Sequence, residues 1–338
     1  MTARHVVIIG NGPAANEAAI SLRTQAPDAR ITIISKEPIR YYKPHLLPDL
    51  IAGKVSEQDL YVNPLEFYKE NDIRLRLGQE VVHVSFATNE VVMEHKEVVR
   101  FDGLIIATGG KPRIPEPLQV FEDLMLSLKT LSDAKVWKER LRWVDSVLIV
   151  GGDLTSLSFT KAVLSLGKKV YFILHGDSFW PVRFNEELSS EVSQRLSDRG
   201  VEVISCRKIL RLVMASEDSV EVETDGRKLR VGAIGAFFGL VPDVKFLARS
   251  GLAIERGIVV DEFLRTRFEG VYAAGDCAQV YHPKLRDYWV SIGYRNARNL
   301  GRVAALNLLG GQESAETAPA GIFQLDDISV NTSWWTEF

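Results

Sequence analysis

At 338 residues the chain is longer than a single core ordinarily grows, and two domains are expected. Hydrophobic residues at 46% and charged residues at 25% describe a globular protein, and a formal charge of −3 with interspersed signs gives no support to nucleic-acid or anionic-membrane binding. No stretch reaches the about 20 apolar residues that span a bilayer, no leader is expected before the first strand, and two cysteines (Cys206 and Cys277) exclude a disulfide framework, so the expected location is the cytoplasm.

In chain order, the apolar run Val6 to Ile9 predicts a buried parallel strand, followed at once by Gly10-Asn-Gly12-Pro13-Ala14-Ala15. A helix is expected from about Pro13, well placed in a first turn, to Arg23, then a strand over Arg30 to Ser35, completing a βαβ unit. Segments 73–77, 80–84 and 90–93 read as shorter strands, ending in the run Gly103 to Ala107. The pattern then restarts: a strand over Ser146 to Val150, the turn Gly151-Gly152, a helix over Leu154 to Leu166 and a strand over Val170 to Leu174. Asp225-Gly226 between Val220–Val222 and Leu229–Val231 marks a hairpin. After Ala233 to Phe238 come Gly257 to Asp261, Gly270 to Asp276, and a helix near Asn296 to Leu309. Residues 310–321 read as a linker before a short tail.

Gly10-x-Gly12-x-x-Ala15 lies between strand and helix, the context that a dinucleotide fingerprint requires. Gly10 suits a tight turn, Gly12 lets backbone approach a pyrophosphate, and Ala15 lets helix and strand pack closely. The helix amino terminus then offers unpaired N–H groups to the phosphates. A plain tight turn is the competing reading. Glu37, in Ser35-Lys36-Glu37, is the one carboxylate placed to hold an adenosine ribose, and equally fits an exposed loop acid.

With three further motifs the chain resembles the FAD-dependent pyridine nucleotide-disulfide oxidoreductase superfamily, most of all the branch of rubredoxin and ferredoxin reductases and the flavin domain of nitrite reductases. Phe101-Asp-Gly-Leu-Ile-Ile-Ala107-Thr108-Gly109 resembles the strand and turn by which the chain leaves the FAD domain. Gly270-Val-Tyr-Ala-Ala-Gly275-Asp276 resembles the second FAD motif, whose aspartate in relatives binds the ribityl chain; helix capping is the alternative for Asp276. Tyr41-Tyr-Lys43-Pro44 resembles the segment beside the flavin, with Lys43 the candidate to stabilise negative charge on it. Trp289 and Asn296 fall where relatives cover the flavin face and line the closing helix, although a tryptophan there also suits a core.

The resemblance implies an α/β chain of two Rossmann-like domains. FAD would be held by residues 1–114 and 235–311, an NAD(P)-type domain inserted at 115–234, and the usual interface domain reduced to the linker and tail, 312–338. No redox cysteine precedes Cys206, so thiol chemistry at the Lys43–Leu47 segment is excluded and Cys277 reads as a small buried residue. No metal site is legible.

The inserted domain departs from its expected fingerprint, since Gly151-Gly152-Asp153-Leu154-Thr155-Ser156 puts Asp153 and Ser156 in place of two glycines. Two like charges about 4 Å apart repel by about 4 kcal/mol at an effective dielectric of about 20, so Asp153 opposes a pyrophosphate. Leu174 stands where a ribose acid is expected, Ser158 where relatives have Glu, and His175 is weak support for a 2′-phosphate. Use of NAD(P)H is therefore doubtful. In the tail, Trp334, Trp335 and Phe338 fit packing on the chain's own surface or anchoring a partner, the latter preferred. The expected function is an FAD oxidoreductase passing electrons to or from a redox protein partner or other subunit, with oligomerisation left open. A conventional NAD(P)H-dependent reductase of rubredoxin, ferredoxin or nitrite-reductase type and a non-catalytic FAD-bearing subunit are the alternatives.

Overall fold

The computed structural model describes residues 5–174, 186–204, 208–283, 286–290, 293–315, 322–325 and 328–331. His175, Cys206, Trp334, Trp335 and Phe338 lie outside the described residues. The chain divides into two compact units, one made of Met1–Lys43, Tyr61–Lys111 and Val241–Gly321, the other of Pro44–Leu60, Pro112–Leu240 and Ile322–Phe338. Residues 44–60, read from sequence as part of the first segment, thus cluster with the second unit.

The first unit is built on a five-stranded sheet in the order Val271–Ala273, Gly103–Ile106, His5–Ile9, Arg30–Ser35, Ile73–Leu77. Every neighbouring pair is parallel. Parallel strands are covered on both faces, which explains the unbroken apolar runs: Val6, Val7, Ile8, Ile31, Ile33, Leu104 and Ile105 are all fully buried. The helix Pro13–Gln25 starts on Pro13, buries Ala14, Ala15, Ala18, Ala19 and Leu22 along one face, and stops at Ala26, before Pro27. A second helix, Tyr294–Leu308, packs directly on it. A three-stranded antiparallel sheet, Val81–Ser85, Glu90–Met93 and Val98–Arg100, completes the part between Ile73–Leu77 and Gly103–Ile106.

The second unit repeats the plan. Its four parallel strands run Glu202–Ile204, Lys169–Leu174, Ser146–Gly151, Ala233–Phe237. The hairpin expected at Asp225-Gly226 is present, pairing Val220 with Val231 and Val222 with Leu229. Trp137 of helix Leu131–Trp143 packs against Phe159 in a tilted pair, 4.5 Å between ring centres, and Phe159 lies 5.3 Å from Phe237. The two units are α/β with Rossmann-like sheets, as the sequence led us to expect.

Elements that went unread in the sequence include the strands Val98–Arg100, Ile209–Ser216, Ala278–His282 and Asp287–Val290 and the helices Leu65–Glu70, Leu131–Trp143 and Glu186–Asp198. The tail, for which no element was read from the sequence, holds an antiparallel pair, Ile322–Leu325 with Ile328–Asn331. Among the described residues no helix is long and apolar enough to cross a membrane.

Candidate dinucleotide sites

The first site grows out of the carboxyl end of strand His5–Ile9, the central strand of its sheet, where open α/β sheets bind ligands. Gly10 takes φ +112°, and a Cβ there would lie 2.2 Å from the Ala107 carbonyl oxygen. Only glycine permits that turn. Gly12 is the N-cap of helix Pro13–Gln25, no side chain hydrogen-bonds the helix end, and a Cβ on Gly12 would meet nothing within 4 Å. No side chain thus competes for the N–H groups of the first turn, the arrangement that accepts a phosphate.

Ala15 is fully buried under this loop. Asn16, 2% exposed, braces it from within: its Nδ2 donates to the Asn11 carbonyl at 3.0 Å and the Gly12 carbonyl at 3.1 Å. Tyr68 donates its hydroxyl to Asn16 Oδ1 at 2.6 Å, and burial pushes the phenol up to about 12. Neither Asn16 nor Tyr68 was singled out in the sequence; an amide in the first turn of an otherwise alanine-rich helix was the available signal.

The other motif segments converge on the same loop. The Ala107 N–H donates to the Ile9 carbonyl at 2.8 Å, and Thr108 Oγ1 is buried with no hydrogen-bond partner among the described residues. Gly275 lies against the helix start, since a Cβ there would sit 3.1 Å from Ala14 Cβ. Asp276 follows in a turn that leads into strand Ala278–His282, so the helix-capping alternative for Asp276 falls away. Gly301 is a further residue the sequence reading missed: a Cβ there would lie 2.1 Å from the Ala14 carbonyl oxygen. A glycine inside a helical run, which costs about 1 kcal/mol against alanine, was its signal.

Glu37 Oε1 accepts from the Tyr42 hydroxyl at 3.0 Å, while Lys36 is engaged with Asp243. Tyr41 donates to the Tyr294 hydroxyl at 2.9 Å, tying the Tyr41–Lys43 segment to the start of helix Tyr294–Leu308. Burial first, and that hydrogen bond second, push the Tyr41 phenol well above its ordinary range. Asn296 is buried in the first turn of this helix, whose N-cap, Gly293, makes no side-chain capping bond. Trp289 is buried on strand Asp287–Val290, paired with Val280, and Pro44 opens the short 3-10 turn Pro44–Leu46. Cys277 is buried, its Sγ within 3.4 Å of the Ile106 and Ala274 carbonyls, and burial raises its thiol away from the reactive thiolate.

The second site shares the first turn glycine and differs at its centre. Gly151 takes φ +102°, and a Cβ there would lie 2.3 Å from the Phe237 carbonyl, as at Gly10, whereas Gly152 takes φ +130° where the first loop has Asn11. Asp153, however, is the N-cap of helix Leu154–Ser165 in a complete capping box. Its Oδ1 accepts from Ser156 N at 2.8 Å, its Oδ2 from Gly239 N at 3.3 Å, and Asp153 N donates to Ser156 Oγ at 3.1 Å. Burial pushes the carboxyl above the usual range, against hydrogen bonds from the Ser156, Gly239 and Thr155 backbone. Ser156, in place of the third glycine, is fully buried with its hydroxyl bonded to the Asp153 carbonyl at 2.6 Å, a satisfied cap. Among the described residues no group of His, Cys, Asp and Glu could hold a metal ion.

The geometry of the first site fits FAD: an uncapped helix end, an unfilled position at Gly12 and an orphaned buried hydroxyl at Thr108. Comparison with known proteins agrees. The nitric oxide reductase FlRd-NAD(+) reductase of Citrobacter koseri is 29% identical over 90% of this chain and 81% of its own. Putidaredoxin reductase CamA of Pseudomonas putida is 27% identical over 93% of this chain and 76% of its own. The structure of a ferredoxin reductase for the CYP199A2 system from Rhodopseudomonas palustris superposes with a TM-score of 0.82 at 25% identity, covering 93% of this chain and 78% of that one. Residues 4–301 match the pyridine nucleotide-disulphide oxidoreductase family. The chain belongs to that family, and is an FAD-dependent oxidoreductase.

Proposed function

We propose that the protein is a flavin-dependent reductase that exchanges electrons with a redox protein partner. The observation that carries this reading is the open amino terminus of helix Pro13–Gln25 above Gly12. In this reading Gly10, Gly12, Pro13, Ala14 and Ala15 receive the pyrophosphate, and Glu37 holds the adenosine ribose. Ala107, Thr108 and Gly109 form the floor, Gly275 and Asp276 hold the ribityl chain, and Lys43 and Pro44 lie beside the ring system with Trp289 and Asn296. FAD, when bound, supplies a centre that takes up and releases electrons. The chain's residues position it and set its charge environment. The buried Cys277 contributes no thiol chemistry, which leaves electron exchange with an external protein. The names of the relatives support such a partner, since one is named as a FlRd-NAD(+) reductase and the other as a putidaredoxin reductase.

A second reading takes a nicotinamide nucleotide as the electron source, and the name FlRd-NAD(+) reductase favours it over a lost nicotinamide site. Anaerobic titration of the purified protein tests both. Bleaching of the oxidised flavin by dithionite, followed by reoxidation with a rubredoxin- or ferredoxin-type protein, is the expected outcome. Reduced flavin that passes nothing to any such protein would sink the partner reading, and rapid bleaching by NADH or NADPH alone would establish the second.

A further inference from the structure

The duplicated fold provides an internal comparison. Both loops leave an inner strand of a parallel sheet through a glycine pressed on the neighbouring carbonyl, at 2.2 Å for Gly10 and 2.3 Å for Gly151 if either bore a Cβ. Both run into a helix on its sheet. They differ in what sits at the helix end. At Pro13–Gln25 the N-cap is a glycine without a side-chain bond, and its surroundings are open. At Leu154–Ser165 a carboxylate occupies that position and accepts from two backbone N–H groups, Ser156 and Gly239, on separate segments.

We infer that the Asp153 carboxylate is a built-in anion that fills the phosphate seat of the second loop and keeps a dinucleotide pyrophosphate out. Taking Asp153 Oδ1 as the acceptor, the Ser156 N–H has no capacity left for a phosphate oxygen. The reciprocal bond from Asp153 N to Ser156 Oγ, and that from Ser156 Oγ to the Asp153 carbonyl, lock the loop around it. Gly239 N pins the same carboxylate to the chain just after strand Ala233–Phe237. A nucleotide would have to displace an anion held by its own backbone and then lie beside it. Leu174, at the end of the second strand, offers no carboxylate for a ribose. The second unit therefore retains the scaffold of a nucleotide domain with its seat taken. The inference rests on the flavin-reductase reading and makes Asp153 the residue that decides which electron donor is refused.

The test is isothermal calorimetry on the FAD-loaded full chain with NADH, NADPH and ADP-ribose. Wild type is expected to bind all three more weakly than about 1 mM. Asp153→Gly, which empties the seat, should tighten NADH and ADP-ribose about tenfold or more. Asp153→Asn keeps the cap without the charge and should fall between the two, and it serves if the glycine variant folds poorly. Micromolar binding of NADH or NADPH to wild type overturns the inference, as does a folded pair of variants that bind no tighter than wild type. The flavin-reductase reading fails separately, by absence of bound FAD or of electron transfer from dithionite-reduced flavin to a redox protein.

Discussion

Gly10 and Gly12 stand two residues apart and answer to different demands, one set by the fold and one by a ligand. Because nothing lies within 4 Å of a Cβ on Gly12, Gly12→Ala should leave the melting temperature of the apoprotein within a few degrees. The same change should lower the FAD content of the purified protein several-fold, read from the ratio of flavin to protein absorbance; full occupancy would remove Gly12 from the site. Gly301 is the reverse case. Its substitution by alanine forces a Cβ onto the Ala14 carbonyl and should destabilise by about 1–3 kcal/mol in denaturant unfolding, with loss of flavin following as a consequence. Lys43 tests the charge environment. Lys43→Met removes a cation beside the proposed ring position, so the flavin midpoint potential should fall by about 30 mV or more, equivalent to about 1.4 kcal/mol for two electrons. An unchanged potential would take Lys43 out of the site.

At the scale of elements, the loop is held by a buried chain of hydrogen bonds from Tyr68 through Asn16 to Asn11 and Gly12. The Tyr68 phenol, ordinarily near 10, is pushed up to about 12 by burial. The folded state therefore keeps a proton that the unfolded state loses between those values, and its stability falls as pH rises through that window. Tyr68→Phe should be less stable at neutral pH by about 1–2 kcal/mol yet lose less stability between pH 10 and 12, which urea unfolding at each pH would measure. Most strands of the two parallel sheets were legible: Arg30–Ser35 and Ile73–Leu77 have the bounds the sequence suggested, although the latter alternates apolar residues with Arg74 and Arg76, whereas the three-residue strand Glu202–Ile204 went unread. Helix Leu131–Trp143 was not legible either, although Thr130 and Asp133 form a capping box that its sequence displays. Its buried side chains, Leu131, Ala134, Trp137 and Leu141, are diluted by seven polar or charged neighbours and by exposed Val136 and Trp143. In the site, the glycines were legible because turn geometry admits little else. Asn16 and Gly301 were not, since their roles depend on contacts with Tyr68 and Ala14 that only tertiary packing creates.

For the whole molecule, the two dinucleotide-type units should respond differently to ligands. A ligand that binds only the folded state raises stability by about 2.7 kcal/mol at one hundred times its Kd. Excess FAD should therefore raise the melting temperature of the apoprotein by several degrees, whereas NAD+ at millimolar concentration should leave it unmoved; an equal shift with both would show that the second loop is open. The chain order of the first unit has another consequence. Its central strand His5–Ile9 and glycine loop are made more than 250 residues before strand Val271–Ala273, the Asp276 turn and helix Tyr294–Leu308. The sheet strands of the second unit, all between Ser146 and Phe237, are synthesised in between and can pair while the first sheet still lacks an edge. On the ribosome the order of completion is thus the reverse of the order of initiation, as expected when distant contacts must wait for their second strand. Flavin capture is expected only once Gly301 reaches Ala14 and shuts the cradle from behind.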